Sequence, residues 1–513
     1  MKKLLFTVSL FCSFSFSIMS QNKSYTGIKK FYGSSLQAII DNNEVKGYFV
    51  FGLLDKASTK ENIYQLVILD NLLNETHSIE LKKPTTFYLL ESSFNGERFC
   101  FSFVDLKGKA LEYLILDKAG KAVGTYRVTD LSNNEISAAV QASQSGISAS
   151  TSTLTPINGK GFVRYGKKKE KGWRISLEMI DNDGKQKWTS DSGMPKTSKS
   201  YETAVPLYSD ANYVVSQITT REKLLSTENM ENNIVCQDAT TGKEVFKIST
   251  NTAKYGLFPE GVSYDETSGE FFVYGAYAKL KDIVSLGIYI QVIDKSGKIK
   301  NESYSGWDKE ILTATSAEIK SKMKEKMFIA LHEMVRTSDG RFFAIGEQFH
   351  KAVSGLGVAS MLLNSGAALT KIEVFNMMVY EFDKDLKISK VDVFEKDKRN
   401  VQLPQGLGLN GSTTLGYYLR MTGQFDYAYT SVSPDNKTFT AAYVNYDRDK
   451  EEGNKFVVGN IIYNQSKLTL DKVDLSSKAT QFWIRPAKPG YVCIFEYFRK
   501  GKKLNIRMEK LNM

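Results

Sequence analysis

Apolar runs of strand type recur along this chain, and five of them end alike. An acidic residue closes the run, two or three small polar positions follow, and the chain resumes after a glycine and a lysine. The copies are Leu114 to Lys121, Met179 to Lys185, Val235 to Lys243, Val292 to Lys298 and, without its glycine, Tyr380 to Lys387. Each is a hairpin signal: Asp or Asn opens the turn through its side-chain acceptor, Gly takes the positive φ, and β-branched or aromatic residues flank it. A hairpin that returns at long intervals predicts a repeat architecture.

A second hairpin type precedes the first, in Asp265 to Val273, Thr337 to Ala344, Ser433 to Phe439 and Lys488 to Val492. The unit therefore has four strands, here lettered A to D, with the second type joining A to B and the first joining C to D. Four short antiparallel strands per repeat predict an all-β chain folded as a β-propeller. Weaker copies at both ends bring the count to eight blades, over approximately 45–84, 85–130, 157–195, 202–252, 255–307, 328–397, 417–476 and 477–513. The last unit is one strand short. Residues 30–44, with the strand Leu36 to Ile40, are expected to complete it, because an open edge invites aggregation. Seven blades with a stray hairpin is the competing count.

Two stretches resemble known families. Asp238-Ala239-Thr240-Thr241-Gly242-Lys243 and Asp181-Asn182-Asp183-Gly184-Lys185-Gln186-Lys187-Trp188 resemble the blade motif of quinoprotein-type propellers. The resemblance implies that Trp188 locks neighbouring blades, with Phe246 in its place once. Ser433-Pro434-Asp435-Asn436-Lys437 is similar to the turn of TolB-like propellers. Both likenesses imply the fold, and neither brings a cofactor.

Of the 513 residues, 12% are aromatic and only nine are proline, which favours strands. Met1-Lys2-Lys3, the uncharged run Leu4 to Met19 and then Ser20 have the layout of a secretory signal, with cleavage expected after Ser20, leaving 21–513 as one propeller domain. Loss of Lys2 and Lys3 takes the formal charge from +11 to +9. A basic, exported chain favours anionic partners. Cys100, Cys236 and Cys493 are scattered among apolar residues and read as buried small hydrophobes, not as a disulfide framework.

Three stretches interrupt the repeats. Ser132 to Pro156 is rich in Ser, Thr and Ala, with a short helix expected around Glu135 to Ala142. Between blades five and six, Leu312, Ile319, Met323 and Met327 follow helical spacing, and Thr315 with Glu318 fits a capping box. In blade six, Ala352 to Leu369 carries no charge but several Gly, Ser and Asn, too diluted for a membrane span. The first of these reads as a linker, and the other two are expected to cap one face, as a lid or as a plain subdomain.

The B to C connections carry the candidate chemistry. Lys107, Lys109, Lys167, Lys168, Lys169, Lys171, Arg499, Lys500, Lys502 and Lys503 all fall there, and on a propeller they gather on one rim. That rim is a candidate dock for an acidic glycan, lipopolysaccharide or an envelope protein; the alternative is that its lysines serve solubility alone. Nucleic acid does not fit, because the lysines lack interleaved aromatics. Gly406 to Gly411 matches G-x-G-x-x-G, but Pro404 precedes it and Tyr417-Tyr418-Leu419 reads as strand, so it is expected to be a crossing between blades and not a dinucleotide site. Asp447 to Gly453 lacks the turn glycine and final glutamate of a calcium loop. His77, His332 and His350 show no ligand spacing, and no metal or cofactor is expected. The reading is a non-catalytic binding or scaffold propeller, in the periplasm, on the outer surface or outside the cell. Two alternatives stay open: a glycan-active hydrolase or lyase with acids near the axial channel, and an assembly platform of an envelope complex.

Overall fold

The computed structural model describes residues 21–512 except 32–34, 42, 57, 146–153, 171, 192–199, 223–229, 281, 283, 318–319, 321–326, 354–369, 405–406, 450–452, 466 and 477. The strands fall into consecutive four-stranded antiparallel meanders over residues 36–84, 87–128, 154–191, 201–249, 255–306, 328–394 and 427–474, followed by three strands over 481–510. The third and fourth join through a single parallel bridge between Trp173 and Tyr201.

Packing turns the row into a cycle. Phe49 and Phe51 of the first sheet pack with Phe99 and Phe101 of the second. Cys100 and Ile115 meet Phe162 and Ile180 of the third, whose Leu177 and Trp188 meet Val214 and Ala239 of the fourth. Cys236 and Phe246 meet Phe271 of the fifth, and Ile290 meets Leu331 and Met378 of the sixth. Phe343 and Val379 then pack on Phe439 and Ile461 of the seventh, and Ile462 on Ile494 of the eighth. Finally Phe495 and Ile506 of the last sheet pack on Tyr48 and Val50 of the first. The A strands touch one another around the same cycle, with Gln37 Nε2 donating to Ser92 O at 2.8 Å between the first and second sheets. Sheets stacked face to face in a closed cycle, with the A strands innermost, make a β-propeller.

The C to D turns show why the repeated signal works. The opening aspartate accepts two backbone N–H groups through Oδ1: at Asp117 from Ala119 (3.0 Å) and Lys121 (2.8 Å), at Asp181 from Asp183 (2.9 Å) and Lys185 (2.8 Å). Each turn then docks on the preceding sheet. A Cβ on Gly242 (φ 69°) would stand 2.5 Å from Trp188, and one on Gly297 (φ 84°) 2.5 Å from Phe246, so glycine is required for space as well as for φ. In the copy without glycine, Leu386 adopts φ 62° and buries its side chain between the fifth and sixth sheets. Leu73 does the same between the first and eighth, at φ 63°.

Two expectations need correction. The eighth sheet is completed by Asn22–Tyr25, which pairs antiparallel with Lys503–Lys510, not by residues 30–44. Leu36–Asp41 is instead the A strand of the first sheet, paired with Glu44–Lys56, because its apolar face belongs in the core. Tyr417, Tyr418 and Leu419 are helical: helix α2, Ser412–Met421, precedes the seventh sheet, which begins at Tyr427 and not at 417. Leu415 and Leu419 bury one face of α2 against Ala330, Phe349, Ile372 and Val374. Thr315 Oγ1 donates back to Ile311 O at 2.5 Å, beyond a π-helical turn over Trp307–Ile311. Its proposed partner Glu318 lies outside the described residues, as do most of Ala352 to Leu369.

Helix α1, Asn133–Ser145, covers the helix expected in the Ser132 to Pro156 stretch. Ser132 caps it reciprocally, accepting Glu135 N at 3.3 Å while its own N–H donates to Glu135 Oε2 at 2.9 Å.

Candidate functional site: the basic rim and the charged inner strands

Because strands alternate direction, the B to C turns all lie at one end of the ring. In the second sheet that turn is Lys107-Gly108-Lys109. Asp105 Oδ1 accepts Gly108 N at 3.0 Å and its other oxygen pairs with Arg127 at 2.5 Å. Arg127 also reaches Glu112 at 3.3 Å, and Lys83 pairs with Glu112 as well. Both acids beneath the turn are thus neutralised, while Lys107 and Lys109 stand exposed.

In the eighth sheet the turn is Arg499 to Lys503, pinned by Arg499 N donating to Thr480 Oγ1 at 2.8 Å. The segment after Asn22–Tyr25 crosses here: Ile28 N donates to Lys502 O at 3.1 Å, and Tyr497 OH reaches the carbonyls of Ile28 and Lys29 at 2.9 Å. Phe31 anchors it, edge-on to Tyr497 and Trp483 with centroids 5.1 and 5.6 Å apart. This crossing brings Lys29 and Lys30 into the rim, which the sequence reading missed although Ile28 and Phe31 flank them as anchors. Burial, and then the charge of Arg499, push the Lys30 ammonium below the ordinary lysine range.

The third sheet contributes less. Lys167 Nζ lies 2.8 Å from Tyr201 OH and 5.1 Å from its ring centroid, and Lys168 pairs with Asp191 at 3.2 Å. The Lys169 side chain and all of Lys171 lie outside the described residues. The eighth sheet and the crossing segment are the part of the rim joined by direct contacts.

A second charged region lies on the inner strands of the fifth and sixth sheets, under α2. Bulges interrupt these strands between Pro259 and Gly261 and between Leu331 and Glu333, placing Glu260 and His332 at the extra positions. Glu260 Oε2 accepts Leu331 N at 2.8 Å, and Arg420 of α2 donates to Glu260 O at 2.5 Å and to Leu331 O. Arg420 also lies 3.2 Å from Glu260 Oε1. Glu333 Oε1 accepts Tyr274 OH at 3.4 Å and Met334 N at 3.2 Å; burial raises this carboxyl to about 7.

Next to it, His332 stacks on Tyr427 at 4.5 Å with its Nε2 3.3 Å from Glu347 Oε2. Burial lowers the imidazole below its ordinary value, which keeps it neutral at pH 7. Glu347 is fully buried, yet the Lys396 ammonium at 2.8 Å and then His332 overcome that burial and hold its carboxyl at about 2. Lys396, 1% exposed, also pairs with Asp426 at 2.5 Å, and Asp426 N donates to Glu347 Oε2 at 3.1 Å. This ionic network ties the sixth blade to the start of the seventh.

Among the described residues no group of His, Cys, Asp and Glu is arranged to hold a metal, and no helix is long and apolar enough to cross a membrane. Cys100, Cys236 and Cys493 are free and buried.

The chain is similar in solved structures to BamB from Moraxella catarrhalis, at 9% identity and TM-score 0.38 over 95% of this chain and 98% of that one. It is similar to the WD40 domain of SCAP from fission yeast, at 10% identity and TM-score 0.38 over 95% and 98%. A quinoprotein alcohol dehydrogenase-like protein from Bacteroides thetaiotaomicron matches at 11% identity and TM-score 0.31, over 72% and 68%. No curated protein matches. A family model spans residues 1–512, and the chain accordingly belongs to the family of unknown function DUF6770.

Proposed function

We propose that this chain is an exported eight-bladed propeller that binds an anionic glycan, lipopolysaccharide or acidic envelope protein through the basic rim of blades eight, one and two. One observation carries the reading: Arg127 and Lys83 neutralise Asp105 and Glu112, so Lys107 and Lys109 project charge that nothing beneath them offsets. The Arg499 to Lys503 turn, with Lys29 and Lys30 threaded against it, adds a second cluster of the same sign. Clustered cations raise the local concentration of a polyanion and speed its capture. The test is an array of acidic and neutral polysaccharides alongside a pull-down from envelope extract. Retention of acidic glycans or lipopolysaccharide supports the reading, and indifference to charge contradicts it.

Glu260, Glu333 and Arg420 support a second reading, a glycan-active hydrolase or lyase. A carboxyl at about 7 has the proton affinity of a general acid, and the bulges bring Glu260 within reach of the same arginine. Release of reducing ends from the polysaccharides on that array, abolished in Glu333→Gln, would establish it.

A further inference from the structure

A cavity of about 260 Å³ opens at the end of the ring opposite the lysine rim, among the A to B turns of blades seven, eight and one. Part of its lining is aliphatic: Val45, Ala487 and Pro489. Beside it stand the neutral polar Asn71, Ser431 and Thr440, and the charged Glu44, Lys46 and Lys488. Ser431 and Thr440 stand directly opposite each other in the strand register, and neither hydroxyl, nor the Asn71 amide, has a hydrogen-bond partner among the described residues. Both cations are engaged: Lys46 pairs with Glu44, and Lys488 Nζ sits 4.4 Å over the Tyr491 ring.

The strands bounding the cavity are already paired with one another, so there is no free edge on which an extended peptide could add a strand. An anion gains little where the nearest cations are engaged. Unpartnered hydroxyls and an amide beside aliphatic surface suit a ligand that carries hydroxyls on its edge and C–H groups on its face. A sugar ring does both, and the volume lies near the lower end of small-ligand pockets. We propose that this cavity binds a neutral carbohydrate, taking one ring of a longer chain.

The full chain is tested by saturation-transfer NMR against maltotriose, cellotriose and tri-N-acetylchitotriose. At least one is expected to receive saturation, with an effect that falls roughly fivefold or more in both Thr440→Trp and Asn71→Trp, each of which fills the cavity. Asn71 lies in a turn, so that variant decides alone if Thr440→Trp does not fold. Adding about 0.3 M sodium chloride is expected to leave the effect unchanged, because no charge is involved. No transfer to any of the three sugars, transfer that survives Asn71→Trp, or transfer lost with salt or with Lys107→Glu would each overturn the proposal. The last outcome would assign sugar binding to the rim instead.

Discussion

Trp188 Nε1 donates to the carbonyl oxygen of Ala239 at 3.1 Å, across the seam between blades three and four. The same indole occupies the space that keeps Gly242 a glycine. Trp188→Ala removes both the bond and the packing and is expected to cost about 3–5 kcal/mol in urea unfolding. Trp188→Phe keeps most of the packing but leaves Ala239 O unpartnered, and is expected to cost about 1–2 kcal/mol. A Trp188→Phe variant as stable as the parent would show that the hydrogen bond contributes nothing.

The turns with and without glycine are tested by opposite substitutions. Gly297→Ala forces a Cβ into Phe246 at a positive φ and is expected to destabilise by about 1–3 kcal/mol. Leu386→Gly relieves backbone strain of about 1–2 kcal/mol but empties a buried site worth about 2–5 kcal/mol, so it too destabilises on balance. Thermal midpoints of the two variants check this; a stabilised Leu386→Gly would mean its side chain is not part of the seam.

These turns explain how much of the fold was legible. Asp, a small pair, Gly and Lys encode the C to D turn locally, through Asp117 and its equivalents, and so could be read without knowing the packing. Ring closure was not local. Asn22–Tyr25 is a four-residue outer strand with half its positions exposed, and carries no apolar signature, whereas Leu36–Asp41 looked like a spare strand. Helix α2 was hidden by the β-propensity of Tyr417 and Tyr418; its contact with Phe349 and Ile372 overrides that preference. The rim lysines were placed by strand order, but Lys29 and Lys30 join them only through a tertiary crossing. Glu260 and His332 depend on bulges, which have no marker in the sequence.

The network around Lys396 predicts a reversal of pH dependence. In the native chain Glu347, held at about 2, contributes stability that is present above the unfolded carboxyl value of about 4.3 and is lost as pH falls toward 2. Lys396→Met leaves Glu347 and Asp426 buried together without their shared cation, at an expected cost of about 3–5 kcal/mol at pH 8. One carboxyl must then take up a proton, so the variant should gain stability between pH 8 and pH 5. Urea midpoints at both values decide; a variant with no such gain would show the carboxylates to be otherwise compensated.

Glu333 acts in the opposite sense to Glu347. Its raised native value means that its contribution is present below about 4.3 and is lost as pH rises through about 7. Glu333→Gln removes that titration and is expected to flatten the fall in stability between pH 5 and pH 8. Identical pH profiles for the two proteins would place the proton elsewhere.

The most direct test of the basic rim is the affinity of the full chain for purified lipopolysaccharide and dextran sulfate, measured at about 50 and 500 mM salt. The account predicts binding that weakens by roughly tenfold or more with salt, and a comparable loss when Lys107, Lys109, Lys500 and Lys503 are changed to glutamate. No binding to either polyanion, or binding that persists through both high salt and charge reversal, would contradict it.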